Sequence, residues 1–293
     1  MQLRWPVILT ILLSVSVIRA GDEVREVREI PHKGEQELNV GINFGLGEMT
    51  LLAGTFKDLL HRSEITYSRE LIKPVVEYKT LGNRGRLRLY TEDFKKDKIK
   101  NLKRRDHSSE NLIRRNQWRM EFSKYVPVAF DIDLGLGRGE MDFSSLKVTD
   151  LNLECGLSDV RLTFTEPNKE VIQSLVIQTG LGNVDAGGLG FANIERFQVE
   201  CGLGSTTLNF DGNQRGNIKG KISVGLGTLR IGVPRGVGVE VETERSFLSS
   251  INLAGYDEID KDIFRSRNWR ESRYKIFLMV EIGLGSIDIY WLD

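Results

Sequence analysis

The chain has few of the residues on which metal and redox sites depend. It contains 3 His and 2 Cys among 293 residues, which leaves little material for a metal site of imidazole or thiolate ligands, and we predict no cofactor. The 41 Lys and Arg balance the 41 Asp and Glu, so overall charge gives no reason to expect nucleic-acid binding. Only 6 Pro accompany 30 Gly, and a Gly-rich chain of ordinary complexity is expected to make many tight turns.

Long apolar runs are also scarce, and the one that matters lies at the N-terminus. Residues 7–18 form a continuous apolar stretch preceded by Arg4, and Ala20 followed by Gly21 is a suitable cleavage point. This is the pattern of a secretory signal peptide, and the stretch is shorter than the roughly 20 residues that a membrane-spanning helix needs. We therefore expect residues 1–20 to direct export to the periplasm, the cell envelope or the outside of the cell.

A tripeptide recurs through most of the chain. Six copies of Gly-Leu-Gly and a seventh copy, Gly-Leu-Ser, begin at Gly45, Gly135, Gly156, Gly180, Gly202, Gly225 and Gly283. From Gly135 to Gly225 the copies recur at a nearly constant interval, whereas a much longer interval precedes Gly283. A constant interval of about 22 residues is typical of a repeat protein whose units bury their apolar sides by stacking.

The flanks of each copy alternate between apolar and polar residues. An apolar residue stands three positions before the first Gly and six positions after it in every copy, while the residue two positions before it is polar, as in Glu154 and Glu200. Alternation on both sides of a Gly pair predicts a strand, a sharp bend and a second strand. We therefore predict a right-handed β-solenoid with rungs of about 22 residues, in which the Leu of each bend points inward; a β-sandwich is the alternative.

The long interval between Gly225 and Gly283 predicts one degenerate rung made of residues 236–241 and 249–253. An excursion over residues 255–272 would then lead into the last rung. That rung carries Tyr290 and Trp291, which we expect either to cap the solenoid or to form an edge for self-association, since a solenoid end leaves unpaired backbone groups. Homo-oligomers through the solenoid ends are the corresponding partner prediction.

The two cysteines test this register. Cys155 and Cys201 both directly precede the first Gly of their copies, and the rung between them has Thr179 at this position. Neighbouring strands lie about 4.8 Å apart, so the two Cα atoms would be about 9.6 Å apart, beyond the roughly 7 Å limit for a disulfide. We therefore predict two free, inward-facing thiols, although pair counting in an exported protein would suggest a disulfide.

The chain before the main array divides into two parts. Residues 38–92 hold the first Gly-Leu-Gly and several probable short strands, which predict a small all-β N-terminal domain. Residues 95–115 hold 9 Lys and Arg against 3 Asp and Glu, so we expect a basic linker over 93–117 and the solenoid over 118–293. The linker is either a solvated connection or an anion-binding patch for lipid headgroups or envelope polymers. The candidate patch residues are Lys103, Arg104, Arg105, Arg114 and Arg115.

Catalytic motifs are weakly represented. The Gly pairs lack the third Gly of a dinucleotide-binding fingerprint, and no nucleophile turn or metal-ligand spacing accompanies the three His, which we expect to be ordinary surface residues. Glu154 and Glu200, two rungs apart, would lie at the upper limit of the separation between the two acids of an inverting glycosidase, which is roughly 6.5 to 9.5 Å. A polysaccharide-active enzyme is therefore the enzymatic alternative, whereas a solvent-facing column of polar side chains is the simpler interpretation.

Several segments together resemble the bacterial toast-rack domain. They are residues 118–127, 135–137, 141–146, 233–238, 250–253 and 268–269. Related domains form the C-terminal part of LiaF-type cell-wall-active antibiotic response proteins and of adhesin-like β-repeat proteins. The resemblance covers about residues 38–293; it implies an all-β fold and offers no catalytic residues to carry over. LiaF-type proteins carry membrane helices before this domain and repress envelope-stress signalling, whereas this chain has a signal peptide.

These observations favour a non-enzymatic envelope protein that binds a partner. We expect an adhesin-like or scaffold module connected to the envelope-stress response, with an envelope protein, an anionic envelope polymer or lipid headgroups as partner. A self-assembling structural module and, less strongly, a polysaccharide-active enzyme are the alternatives.

Overall fold

The Gly-Leu repeat forms a stack of parallel strands. The computed structural model describes residues 14–20, 22–92, 113–245 and 249–292. In chain order the strands are β1 (Ser14–Ala20), β2 (Glu23–Pro31), β3 (Glu37–Ala53), β4 (Leu59–Ser68), β5 (Lys73–Leu81), β6 (Arg84–Glu92), β7 (Asn116–Phe122), β8 (Pro127–Asp142), β9 (Lys147–Thr163), β10 (Leu175–Gly187), β11 (Arg196–Asn209), β12 (Ile218–Pro234), β13 (Gly238–Arg245), β14 (Ser249–Asn252), β15 (Tyr256–Asp260), β16 (Ile263–Ser266) and β17 (Lys275–Leu292).

Each of the seven repeat copies lies in the middle of one long strand. These strands pair in parallel in the order β3, β8, β9, β10, β11, β12 and β17, and every pairing sets the Leu of one copy against the Leu of the next. The in-register columns of identical residues are the arrangement that the repeat predicted. The prediction of an all-β solenoid is confirmed.

Close approach of neighbouring rungs explains both glycines of the bend. A Cβ on Gly225 would lie 2.7 Å from the carbonyl oxygen of Gly202, and one on Gly227 would lie 1.9 Å from that of Gly204. The second glycine also has a φ of +158°, which residues with a side chain rarely adopt. The other Gly-Leu-Gly rungs that stack on a preceding one repeat these contacts, so a side chain added at one of these glycines would push two rungs apart; β9, which has Ser158 at the second position, is the exception.

The bend leucines of β9, β10, β11, β12 and β17 are exposed, and the prediction that they point inward was wrong; Leu46 is buried and Leu136 half-buried. In β9 the buried residues are Leu153 and Cys155 before the bend and Ser158 and Val160 after it. The alternation therefore shifts by one residue at the bend, and both the first Gly and the following Leu157 are exposed. One extra residue in each rung has the effect of a β-bulge, which redirects the side chains that follow it.

The stack begins with a rung made of two separate strands. β6 pairs in parallel with the first half of β3, and β7 pairs with its second half. β3 in turn pairs with β8 over residues 38–51, so the first Gly-Leu-Gly strand lies directly against the main array. The division into a domain at 38–92 and a linker at 93–117 stays a prediction, since residues 93–112 lie outside the described residues.

The order of the rungs at the other end differs from the prediction. β12 pairs directly with β17, and β13 and β14 pair with the opposite edge of β17. The degenerate rung therefore exists, but it follows β17 in the stack instead of preceding it. After β12 the chain forms β13 and β14 at the end of the stack and then the β15–β16 hairpin. It then returns, and β17 lies between β12 on one side and β13 and β14 on the other.

Tyr290 and Trp291 consequently do not lie on a terminal rung. The Tyr290 hydroxyl donates to Asn209 Oδ1 at 2.7 Å. The Trp291 ring stacks on Tyr256 with centroids 5.7 Å apart, and its Nε1 donates to the carbonyl oxygen of Ala254 at 3.2 Å. Trp291 therefore links β17 to the excursion, whereas Tyr290 reaches across β12 to β11. The end of the stack is formed by β13, β14 and the β16 strand that pairs with β13.

The register around the cysteines agrees with the prediction. Thr179 pairs with Cys155 on one side and with Cys201 on the other. Both thiols are free and buried. Burial, together with the charge of Asp133, raises the pKa of Cys155 to about 12, so this thiol is protonated and unreactive at neutral pH.

The end of the predicted signal peptide forms an edge strand. β1 pairs antiparallel with β2, setting Ser14 against Glu29 and Ala20 against Glu23. The chain before Ser14 lies outside the described residues. No helix in the described parts of the chain is long and apolar enough to cross a membrane.

Candidate binding surface

The outward shift at the bends places a line of leucines in solvent. We call this line the leucine ridge; its members are Leu157, Leu181, Leu203, Leu226 and Leu284. Each is 45% to 54% exposed, and each pairs with the next across neighbouring strands. At about 4.8 Å per strand the ridge is about 19 Å long. Leu46, in the first rung, is buried instead.

A strip without side chains runs beside the ridge. It consists of the first glycine of each bend, which is exposed in the rungs that carry the ridge. Because a Cβ on Gly180 or Gly202 would lie 2.9 or 2.5 Å from a backbone oxygen of the preceding rung, no substituent fits there. The strip is therefore the floor of a groove, and the ridge borders the strip on one side.

Carboxylates form a wall on the other side of the strip, which we call the acidic column. It consists of Asp133, Glu154, Glu200 and Glu281, with Gln178 and Ser223 at the same position in the intervening rungs. The register sets Asp133 against Glu154 and sets Gln178 between Glu154 and Glu200. The outward orientation predicted from the alternation is thus confirmed, with these side chains exposed or half-buried.

Two of the four carboxylates of this column, Asp133 and Glu200, are hydrogen-bonded to amides. Asn43 Nδ2 donates to Asp133 Oδ2 at 2.9 Å, and Glu200 accepts from Gln178 Nε2 at 2.9 Å and from Gln198 Nε2 at 2.6 Å. Within the described residues no Lys or Arg pairs with any carboxylate of the column. Partial burial raises the pKa of Asp133, and the neighbouring charges of Glu154 and Asp131 raise it further, so the negative charge here is crowded.

The acidic column and the glycine strip line a groove along the corner of the solenoid. We call it the corner groove; its volume is about 560 Å³, and it runs from Asp133 to Gly225. It is anionic along one side and open to solvent, and the leucine ridge, whose members directly follow the bend glycines in sequence, lies beside the groove and outside its lining. Such a groove is suited to an elongated ligand rather than to a small molecule enclosed on all sides.

The predicted anion patch is only partly described. Lys103, Arg104 and Arg105 lie outside the described residues. Arg114 is exposed and Arg115 half-buried in the short turn before β7, where the Arg115 carbonyl oxygen accepts from Ser68 N at 3.1 Å. Whether these five side chains act together stays a prediction.

The glutamates of the enzymatic alternative lie where the register predicted. Glu154 and Glu200 are separated by the strand that carries Gln178, a gap of about 9.6 Å at ordinary strand spacing. Glu200 accepts hydrogen bonds from two amides. The same side chains also form the wall of a long open groove, which is the arrangement of a binding surface.

The prediction that all three His are surface residues was wrong for His61. This side chain is fully buried and packs against Phe122 with ring centroids 4.6 Å apart. Burial lowers its pKa to about 3. The Glu121 backbone acts in the opposite direction and raises the pKa, although neither ring nitrogen makes a hydrogen bond of normal geometry. His32 is half-buried, with Nε2 3.0 Å from the Glu35 carbonyl oxygen; His107 lies outside the described residues.

Among the described residues, no three or more His, Cys, Asp or Glu side chains are grouped closely enough to hold a metal ion.

A single signal in the sequence could have revealed the exposed ridge. The apolar positions before each bend, such as Leu153 and Cys155, are an odd number of residues from the first Gly, whereas those after it, such as Val160 and Leu162, are an even number. Because strand side chains alternate strictly, this change of parity requires one residue to be inserted within the bend. The bend leucine is then the residue turned outward.

Comparison with known proteins identifies the family. Residues 19–187 match the family model described as the N-terminal domain of toast_rack, DUF2154. The match covers more than half of the chain, which therefore belongs to the toast-rack family. No curated protein matches the sequence.

Three solved structures illustrate the overall likeness. A candidate cell adhesion protein from Clostridium sporogenes is 18% identical with a TM-score of 0.47, over 92% of this chain and 99% of that one. A candidate adhesin from Bacteroides fragilis is 14% identical with a TM-score of 0.42, over 92% and 98%. A candidate lipid binding protein from Parabacteroides distasonis is 12% identical with a TM-score of 0.31, over 92% and 97%.

Proposed function

We propose that this chain is an exported, non-enzymatic protein of the cell envelope that binds a partner along the corner groove. It would act as an adhesin-like or scaffold module connected to the envelope-stress response. The observation that carries the proposal is the leucine ridge, because five leucines about half exposed in one line are unusual on a surface that contacts only water. Export is supported by the signal-peptide pattern of residues 1–20.

The shape of the surface also favours binding over catalysis. Catalytic sites generally enclose a substrate and hold reacting groups in a water-poor pocket. The corner groove is open along its length, and the same three columns repeat from rung to rung. A repeated linear surface of this kind is how solenoids bind extended partners.

Affinity capture from crosslinked cell envelopes tests the proposal. The first bait is the mature chain, residues 21–293. A second bait carries Leu181→Ser and Leu203→Ser, and a third carries Glu in place of Lys103, Arg104, Arg105, Arg114 and Arg115. Capture of a specific partner that the leucine variant loses and the basic-segment variant keeps is the expected result.

The other outcomes distinguish the alternatives. Loss only with the basic-segment variant would transfer the binding site to the anion patch, with an anionic polymer or lipid headgroup as ligand. Recovery of nothing except the bait would favour self-assembly. Release of reducing ends from envelope glycans, abolished by Glu154→Gln with Glu200→Gln, would establish the enzyme and overturn the proposal.

A further inference from the structure

The charges on the two sides of the leucine ridge are not equivalent. On the side away from the acidic column the arginines are paired: Arg161 with Asp185 at 3.5 Å and Arg230 with Asp288 at 3.8 Å. On the groove side, within the described residues, Asp133 and Glu200 have amide partners, and no carboxylate of the acidic column has a cationic partner. The corner groove therefore carries uncompensated negative charge along one wall.

The leucine ridge beside the groove restricts which cationic ligands would bind there. A metal ion or a polyamine would neutralise Glu154 and Glu200 but would leave the ridge exposed to water. Burial of the half-exposed leucines requires apolar groups on the ligand, because the gain is proportional to the apolar area removed from water. The ligand must therefore present a row of cations beside a row of apolar side chains.

The spacing of the columns favours a helix over a strand as the ligand. Rungs repeat every 4.8 Å or so. Side chains along one face of an α-helix recur about every 5.4 Å, whereas those along one face of a strand recur about every 6.8 Å. Over the length of the ridge, a helix would remain near register with the leucines and a strand would not.

We propose that the corner groove binds a cationic amphipathic helix of a partner protein. The apolar face of the helix packs on the leucine ridge, and Lys or Arg along one flank pair with the acidic column. The exposed glycine strip lets the helix approach the backbone of the rungs closely. This inference rests on the proposed function and specifies the partner's chemistry.

A synthetic peptide tests this directly. The probe is a helix of about four turns composed of Leu and Lys with a 3.6-residue apolar period, titrated into residues 21–293 by calorimetry or fluorescence anisotropy. The control ligands are a scrambled peptide of the same composition, a Leu and Glu peptide with the same period, and spermidine. The probe should bind at least tenfold more tightly than each control, and its affinity should fall with salt.

Substitutions locate the site. Leu181→Ser with Leu203→Ser, and separately Glu154→Gln with Glu200→Gln, should each weaken binding about tenfold or more. The matched control is Ile259→Ser, because Ile259 is 49% exposed on the β15–β16 hairpin and lies outside the groove. Circular dichroism melting of each variant checks that the fold is retained, which the exposure of these side chains predicts.

Three binding results would each overturn the inference. Equal binding of spermidine would indicate a site that reads charge alone, and equal binding of the scrambled peptide would exclude a helix in register. Undiminished binding to both groove variants would place the peptide elsewhere. If envelope capture depends on Leu181 and Leu203 while no helical probe binds, this inference fails and the proposed function stands; if capture fails as well, both fail.

Discussion

Leu226 and Leu284 lie side by side in adjacent strands although they are far apart in the chain. The intervening chain does not form a rung between them. It forms β13 and β14, which cover the far edge of β17, and then returns. β17 is thus hydrogen-bonded along both edges, to β12 on one edge and to β13 and β14 on the other.

Removal of residues 275–293 should therefore unfold the end of the solenoid. The truncation takes away the strand to which β12, β13 and β14 are all paired, so β13 and β14 lose their neighbour and the apolar face of β12 loses its cover. We expect a loss of several kcal/mol of stability, since deleted core contacts cost roughly 2–5 kcal/mol per large side chain. Urea unfolding followed by circular dichroism measures it. A truncated chain that unfolds at the same midpoint would show that β17 is a dispensable terminal rung.

Gly204→Ala should be strongly destabilising. Gly204 has a φ of +142°, and an added Cβ would lie 1.8 Å from the carbonyl oxygen of Gly182, so the change adds backbone strain to a clash with the preceding rung. We expect a cost of about 3 kcal/mol or more. Gly216→Ala is the matched control, because nothing lies within 4 Å of its added Cβ. Equal melting temperatures for the two variants would contradict the close packing of the bends.

His61 should make the protein less stable as the pH falls. The pKa of the buried imidazole is lowered to about 3 from the ordinary value of 6.5, so between these values the unfolded chain binds a proton that the folded chain does not. Stability is therefore unaffected above about pH 6.5 and falls below it by up to about 1.4 kcal/mol per pH unit, until the folded pKa is reached. Unfolding by urea at a series of pH values measures this slope.

The control for this prediction is the variant His61→Phe. It retains an aromatic ring beside Phe122 and removes the titrating group, so it should lose the part of the slope that His61 contributes. Carboxylates titrate in the same range in both proteins, and they cancel in the comparison. Parallel pH profiles for the two proteins would mean that His61 takes up its proton at the same pH in the folded and the unfolded chain, so that its pKa is not lowered by folding.

Thiol titration checks the strand register. Cys155 and Cys201 are buried and separated by the strand that carries Thr179, so a thiol reagent should react slowly with the folded protein. After denaturation without a reductant, two thiols per chain should react. Recovery of none would reveal an intramolecular disulfide, and the register of β9, β10 and β11 would then be wrong.

The sequence was sufficient to predict the stacking but not the details that form the candidate surface. The Gly-Leu columns predict which residues pair, because only one parallel register aligns the identical residues of successive copies. Strict alternation through the bend predicts inward leucines, whereas the one residue inserted there turns them outward. Chain order predicts that β17 follows the degenerate rung, whereas the pairing of β12 with β17 instead of β13 depends on contacts between distant parts of the chain.

Burial of His61 could not be inferred from its neighbours in sequence. It lies in β4, whose pattern does not show which face is buried, and the paired strand β7, which sets Phe122 against His61, begins much later in the chain, at Asn116. The acidic column was predicted correctly because its residues alternate with apolar ones before the bend is reached. Its role as one wall of a groove beside the exposed leucine ridge is revealed only by the three-dimensional structure.

Site-specific photo-crosslinking in cells that produce the protein tests the central claim most directly. A photoreactive phenylalanine analogue is placed at Leu203 in one variant and at Ile259 in another, both side chains being about half exposed. If the corner groove is the binding surface, irradiation should give a discrete adduct to a partner protein at Leu203 and none at Ile259. An adduct at Ile259 alone, or no adduct at Leu203 with the protein correctly folded and exported, would contradict the account.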